Sequence, residues 1–235
     1  MEEIRLDKYV SVAASISRND VKSALRRGRI TVNGNTEKSA GRKIDTEKDI
    51  ILMDNSVLKY KKYVYILLNK PCGIISASND KRQKTVVDLL PDKYSKYSLF
   101  PVGRLDKDTT GLLIITNDGD FAHRVITPKK EVEKSYIATL DGSITDDTVN
   151  AFASGVTLAD GTSCRPAKLE RISENVVRVV ISEGKYHQIK RMFGTQNLPV
   201  VKLHRERIGS LTLPKNLDFG EFTELDEHDV SLIFK

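Results

Sequence analysis

The sequence predicts an α+β protein in two parts: a small, basic, helix-led module at the amino terminus, and a larger domain built on a mixed, mainly antiparallel sheet flanked by helices. Three observations carry this. Apolar residues recur at helical spacing from Leu6 to Leu25, whereas short β-branched runs dominate from Tyr63 onward. The stretches between those runs are too short and irregular for repeated βαβ units, which excludes a doubly wound parallel sheet.

The elements follow in order. Leu6, Tyr9, Val10, Ala13 and Ile16 lie three and four residues apart and define one buried helical face. Ser17 caps a second helix, with Asp20 three positions on as the partner of a capping box. In that helix Val21, Ala24 and Leu25 form the apolar stripe, while Arg18, Lys22 and Arg26 share another face. Gly28 closes the helix, and Arg29-Ile30-Thr31-Val32-Asn33-Gly34 reads as a strand ending in an Asn-Gly turn. Arg27 and Arg29 extend the basic face. Asp49 to Met53 supplies a further strand. The expected boundaries are a module over 1–58, a linker over 59–62 and a larger domain over 63–235. There the strand candidates are Tyr63 to Leu68, Leu112 to Thr116, Ser135 to Leu140, Val176 to Ser182 and Val200 to Leu203, and the helix candidates are Thr85 to Leu90, Asp118 to Ile126, Thr145 to Ser154 and Tyr186 to Phe193.

Composition narrows the class. With 39% hydrophobic and 30% charged residues the chain is neither disordered nor membrane-spanning, and no apolar run approaches the roughly 20 residues a span needs. Met1-Glu2-Glu3-Ile4-Arg5 lacks the apolar centre of a secretory signal, so a cytoplasmic location is expected. Cys72 and Cys164 lie far apart, and neither a disulfide framework nor a metal site is expected from them or from four histidines. Residues 1–62 hold 14 Lys/Arg against 9 Asp/Glu, leaving 24 against 23 for the rest. The positive excess therefore sits in the amino-terminal module, as expected for a polyanionic partner.

Three segments place functional side chains beside turn glycines: Asn69-Lys70-Pro71-Cys72-Gly73, Gly103-Arg104-Leu105-Asp106-Lys107-Asp108-Thr109-Thr110-Gly111, and Ser182-Glu183-Gly184-Lys185-Tyr186-His187-Gln188-Ile189-Lys190-Arg191-Met192-Phe193. The first, taken alone, reads as a structural turn. The second runs into the apolar Leu112 to Ile115, so a charged loop is held against a buried strand. Asp106 and Asp108 are its equal candidates for acid, base or metal chemistry. Asp106-Lys107-Asp108-Thr109 also matches the DxDx[TV] signature of haloacid-dehalogenase-type phosphatases, but that signature follows directly on an apolar strand, and here the strand comes after.

On these residues two resemblances appear. Residues 4 to about 52, especially Arg5-Leu6-Asp7-Lys8-Tyr9, Ser17-Arg18 and Gly28 to Gly34, resemble the S4 RNA-binding module. The three turn segments, with Glu133-Lys134-x-Tyr136 and Leu203-His204-Arg205-Glu206-Arg207-Ile208-Gly209, resemble the RsuA branch of the pseudouridine synthases, which isomerises a uridine in small-subunit ribosomal RNA. The resemblance implies a catalytic domain of the pseudouridine synthase fold behind the S4 module, no cofactor, ribosomal RNA as partner, either free or in an assembling subunit, and a monomer. It makes Asp106 the essential aspartate, stacks Tyr136 on the target base where it helps remove a late proton, pairs Lys190 with Asp106, and has Arg104 fill the gap the uridine leaves in the RNA.

The chemistry is consistent with those roles. The N1–C1′ bond must break, the base turn, and C5 join C1′. A carboxylate serves either as nucleophile at C1′ or as base at C2′, and the residues leave that choice open. A cation at Lys190 favours the ionised, reactive carboxylate. An extruded uracil needs a flat surface, and stacking on an aromatic ring is worth about 1 to 3 kcal/mol. Lys185, His187, Gln188 and Arg191, around a helix start, are expected to contact phosphate and sugar, as are Arg18, Lys22, Arg26, Arg27 and Arg29 in the first module. Asp108, Thr109 and Thr110 are expected to hold the turn that aims Asp106. Two other functions remain: the same chemistry on large-subunit RNA, and a non-catalytic RNA-binding assembly protein.

Overall fold

A computed structural model describes residues 3–235 and divides the chain into two units, one of residues up to Tyr63 together with Pro91–Ser98, the other of Val64–Leu90 and Leu99–Lys235. In the first unit the elements run β1 (Glu3–Arg5), α1 (Leu6–Ala13), α2 (Arg18–Arg26), β2 (Ile30–Val32), β3 (Asn35–Thr36), β4 (Lys43–Asp45), β5 (Ile51–Met53) and β6 (Ser56–Val57). β1 pairs with β4, and the others form an antiparallel sheet in the order β3-β2-β5-β6. Leu6, Val10, Val21, Leu25, Ile30, Ile44 and Ile51 bury together as one core. The Ser17 hydroxyl accepts from the Asp20 amide at 3.1 Å, and the Asp20 carboxylate accepts from the Ser17 amide at 3.3 Å, so the capping box is present. α1 stops at Ala13, short of Ile16, because Ser15 turns to φ +55°.

The second unit contains β7 (Tyr65–Lys70), β8 (Phe100–Pro101), β9 (Thr110–Thr116), α3 (Gly119–Ile126), β10 (Lys134–Leu140), α4 (Asp146–Ser154), β11 (Lys168–Arg171), β12 (Val176–Ile181), α5 (Gln188–Gly194), β13 (Val200–Ile208), β14 (Leu211–Thr212), β15 (Phe222–Glu224) and α6 (Glu227–Leu232). Its sheet follows the path β11-β12-β10-β13-β9-β7-β15, with β14 on β13 and β8 on β9. Only the β13–β9 junction is parallel among the described strand pairings, so the sheet is mixed and mainly antiparallel. Leu67, Leu112 and Ile114 pack with Phe121 and Val125 of α3, while Phe152 of α4 meets Phe193 of α5 at 4.6 Å between ring centroids.

The helix expected over Thr85 to Leu90 is instead a single 3-10 turn, Val87–Leu89. Asp88 accepts from both the Thr85 amide (2.8 Å) and the Thr85 hydroxyl (2.9 Å), a local turn that competes with helix, and Pro91 bars continuation. No helix among the described residues is long and apolar enough to cross a membrane.

Candidate active site

The loop between β8 and β9 carries Asp106, and its shape is imposed by the Asn69–Gly73 segment. Lys70 is wholly buried, and its ammonium donates to the carbonyls of Thr109 (2.9 Å), Pro71 (3.1 Å) and Lys107 (3.3 Å). The Gly73 amide donates to the Lys107 carbonyl at 2.8 Å, and Ser76 both accepts from the Leu105 amide (3.1 Å) and donates to its carbonyl (2.8 Å). The side chains of Asp108 and Thr109, expected to hold this turn, do not do so. The Thr109 hydroxyl is buried without a partner, and Asp108 is 68% exposed with its carboxylate turned to Lys190. A backbone loop of this curvature presents carbonyls inward, and a buried ammonium satisfies three of them at once.

Asp106 lines a cleft with Arg104, Tyr136, Lys190, His187 and Leu203 among others. Its two carboxylate oxygens face different partners: Oδ1 lies 3.4 Å from His187 Nε2 and Oδ2 lies 3.4 Å from Lys190 Nζ. The expected Lys190–Asp106 pair is thus present but shared, because Lys190 hydrogen-bonds Asp108 at 2.5 Å. That bond holds the Asp108 carboxyl below the usual carboxylate range. Tyr136 is 7% exposed and stands on β10 beside the cleft.

The family model for RNA pseudouridylate synthases matches residues 64–195, a span that contains this whole constellation. The chain belongs to that family. Two curated relatives agree along the full length: a ribosomal small subunit pseudouridine synthase A from Yersinia pestis is 40% identical over 231 residues, covering 98% of both chains. The Escherichia coli K12 protein of the same description is 39% identical over 231 residues, covering 98% of this chain and all of its own. A crystal structure of a pseudouridylate synthase matches with TM-score 0.69 at 34% identity, covering 98% of this chain and 99% of that one. The protein is therefore an RNA-modifying isomerase.

In this pseudouridine synthase the approach to α5 differs from the sequence expectation. His187 adopts the left-handed conformation (φ +47°) and stacks on Tyr186 at 3.8 Å. That reversal turns Gln188 inward. Its amide donates to Glu183 Oε1 at 2.8 Å and its carbonyl oxygen accepts from the Lys185 amide at 2.9 Å, so Gln188, 4% exposed, braces the turn before α5 from within the cleft lining. The Lys185 ammonium is bound to Glu183, and Arg191 pairs with Asp160 at 2.5 Å. Of the four side chains expected to face phosphate and sugar, only His187 reaches Asp106. Arg104 is exposed on the loop beside Asp106. In the first unit Arg18, Lys22, Arg26, Arg27 and Arg29 are all exposed, but Arg29 is bidentate to Asp54, with Nε to Oδ1 at 2.8 Å.

Three buried cations of the synthase were missed as functional candidates: Lys70, Lys134 and Arg205. Each sits at an inward position of a strand, and an unpaired cation at such a position is the signal that identifies it. Burial pulls the Lys70 and Lys134 ammoniums down to about 8, and Lys134 also feels the charge of Arg205. Unfolded lysines titrate near 10.5, so between pH 8 and 10.5 the unfolded chain binds more protons and stability rises with pH. The unfolding free energy of the wild type should climb across this window relative to Lys134→Met, by on the order of 3 kcal/mol. Parallel curves in denaturant titrations would show that Lys134 is not a buried charge.

Proposed function

We propose that this synthase converts one uridine of small-subunit ribosomal RNA to pseudouridine, as a cytoplasmic monomer without a cofactor. Asp106 is the reacting carboxylate, Tyr136 the platform for the extruded base, Lys190 the cation paired with that carboxylate, and Arg104 the side chain that enters the RNA where the base has left. The observation that carries the reading is a carboxylate inside a cleft, with a separate nitrogen on each oxygen and an aromatic side chain lining the same space. The names of the two curated relatives support the small-subunit target. The reaction is an isomerisation with no redox change, so a positioned carboxylate, a stacking surface and charge stabilisation supply what it needs.

Asp106 acts on the ribose, either joining C1′ covalently or taking the C2′ proton. The base then turns with N1 free and bonds to C1′ through C5. Mapping pseudouridine in ribosomal RNA from cells lacking the protein tests the reading: one small-subunit position should lose the modification and regain it with wild type, not with Asp106→Asn. Loss confined to large-subunit RNA would move the target, and no loss at either would leave an RNA binder.

The first unit is proposed to dock RNA as an S4 module through the exposed α2 face. Lys22→Ala with Arg26→Ala should flatten the dependence of log K on log salt by roughly one unit for each phosphate that is no longer neutralised. Arg29→Ala should change it less, because that guanidinium already has Asp54. Equal slopes for wild type and the double variant would remove this face from the interface.

A further inference from the structure

Arg205 and Tyr136 are cross-strand partners, one on β13 and the other on β10. Arg205 is 3% exposed, yet no carboxylate among the described residues pairs with it. Its Nε donates to the Leu112 carbonyl at 2.7 Å, its Nη1 donates to the Tyr136 phenolic oxygen at 3.3 Å, and its Nη2 is buried with no partner. Lys134, two residues before Tyr136 on the same strand face, is a second buried cation, donating to the Val132 carbonyl at 2.8 Å. Burying charge without a counter-ion is unfavourable, and here one such charge is hydrogen-bonded to the phenol that lines the cleft. A fixed cation with a spare donor stabilises an anion that exists only during the reaction.

We infer that Arg205 is a positioning residue for Tyr136: its guanidinium orients the phenol and stabilises the phenolate that removes the C5 proton. This rests on the proposed role of Tyr136 beneath the target base. The step balances without any oxidant or reductant. Once C5 has bonded to C1′, C5 carries both hydrogen and ribose, and C6 is doubly bonded to N1. Tyr136 gives its phenolic proton to water, and the phenolate takes the C5 proton. The C5–H pair becomes the C5=C6 bond, the C6=N1 π pair moves to N1, and N1 takes a proton from water. Phenol and pseudouridine result. The Nη1 bond to the oxygen becomes charge-assisted on both sides while the phenolate exists, which is when it is strongest.

Arg205→Met keeps the apolar stem and removes the charge. Two single-turnover readouts with ribosomal RNA separate its effects: release of tritium from [5-³H]uridine reports C5 proton removal, and rearrangement of 5-fluorouridine, which has no C5 proton to lose, reports the steps before it. Arg205→Met should slow tritium release by about 100-fold, within the range for a proton-transfer step, and leave the 5-fluorouridine rearrangement within about threefold. Arg205→Lys should recover part of the loss. Arg205→Met with Tyr136→Phe should be no slower than Tyr136→Phe alone, because without the phenolic oxygen the cation has nothing to stabilise. Equal slowing of both readouts would make Arg205 purely structural and overturn the inference, as would unchanged tritium release in Arg205→Met when Tyr136→Phe slows it. If Tyr136→Phe itself leaves tritium release unchanged, the reading of Tyr136 fails first, and this inference falls with it.

Discussion

Asp106→Asn should lower the single-turnover rate of uridine isomerisation by about 10⁴-fold or more and leave RNA affinity within about threefold. The substitution keeps size and shape but removes the charge that either mechanism requires, since an amide neither attacks C1′ usefully nor takes the C2′ proton. A loss of that size corresponds to about 5 kcal/mol of transition-state stabilisation. The fold should not change, because the loop owes its shape to backbone carbonyls on Lys70 and to Ser76, none of which contacts the Asp106 carboxylate. Lys190 also keeps its bond to Asp108 in the variant. Asp108→Asn is the informative control: it leaves Asp106 intact and frees Lys190 from its stronger partner, so activity should fall far less. Comparable losses in the two variants, or loss of RNA binding with Asp106→Asn, would assign the aspartates a structural task.

What the sequence disclosed depends on how far apart the partners lie. The α2 capping box was legible because Ser17 and Asp20 are three residues apart and the geometry is local. The antiparallel character of the sheet was legible from short β-branched runs joined by short connections. Lys70 looked like part of a turn because its acceptors at Thr109 and Lys107 come from 39 and 37 residues away. Arg205 reaches Leu112 across 93 residues and Tyr136 across 69, contacts that exist only once β9, β13 and β10 are aligned. Gln188 misled for a different reason. A polar residue at a helix start ordinarily faces water, but the left-handed His187 rotates it onto Glu183. Asp108 and Asp106 looked equivalent in spacing and were told apart by resemblance alone; the structure adds that Asp106 is 26% exposed and Asp108 68%, with Lys190 of α5 between them.

The same β9–β13 alignment sets the second large expectation: Gly111→Ala should destabilise the protein by about 4 kcal/mol or more and abolish activity with it. Gly111 ends the catalytic loop, begins the apolar part of β9 and pairs in parallel with Arg205. Its φ of +103° is a region that side chains rarely occupy, a strain on the order of 1 to 3 kcal/mol for alanine. Space is the larger problem. A β-carbon built there would lie 2.3 Å from the Arg205 carbonyl oxygen, 2.7 Å from its nitrogen and 2.9 Å from its carbonyl carbon, all backbone atoms with no rotamer to yield. Relief requires moving β13 from β9, which breaks the one parallel junction among the described pairings and carries Arg205, with the β10 strand paired to it, away from Leu112 and the catalytic loop. Gly119→Ala is the matched control, since nothing lies within 4 Å of where its β-carbon would stand and its backbone is ordinary; it should stabilise by up to about 1 kcal/mol. Chemical denaturation of the two variants decides the matter. A Gly111→Ala protein as stable as Gly119→Ala would mean that the close approach of β9 and β13 is dispensable, and with it the alignment that brings Asp106 and Tyr136 to one cleft.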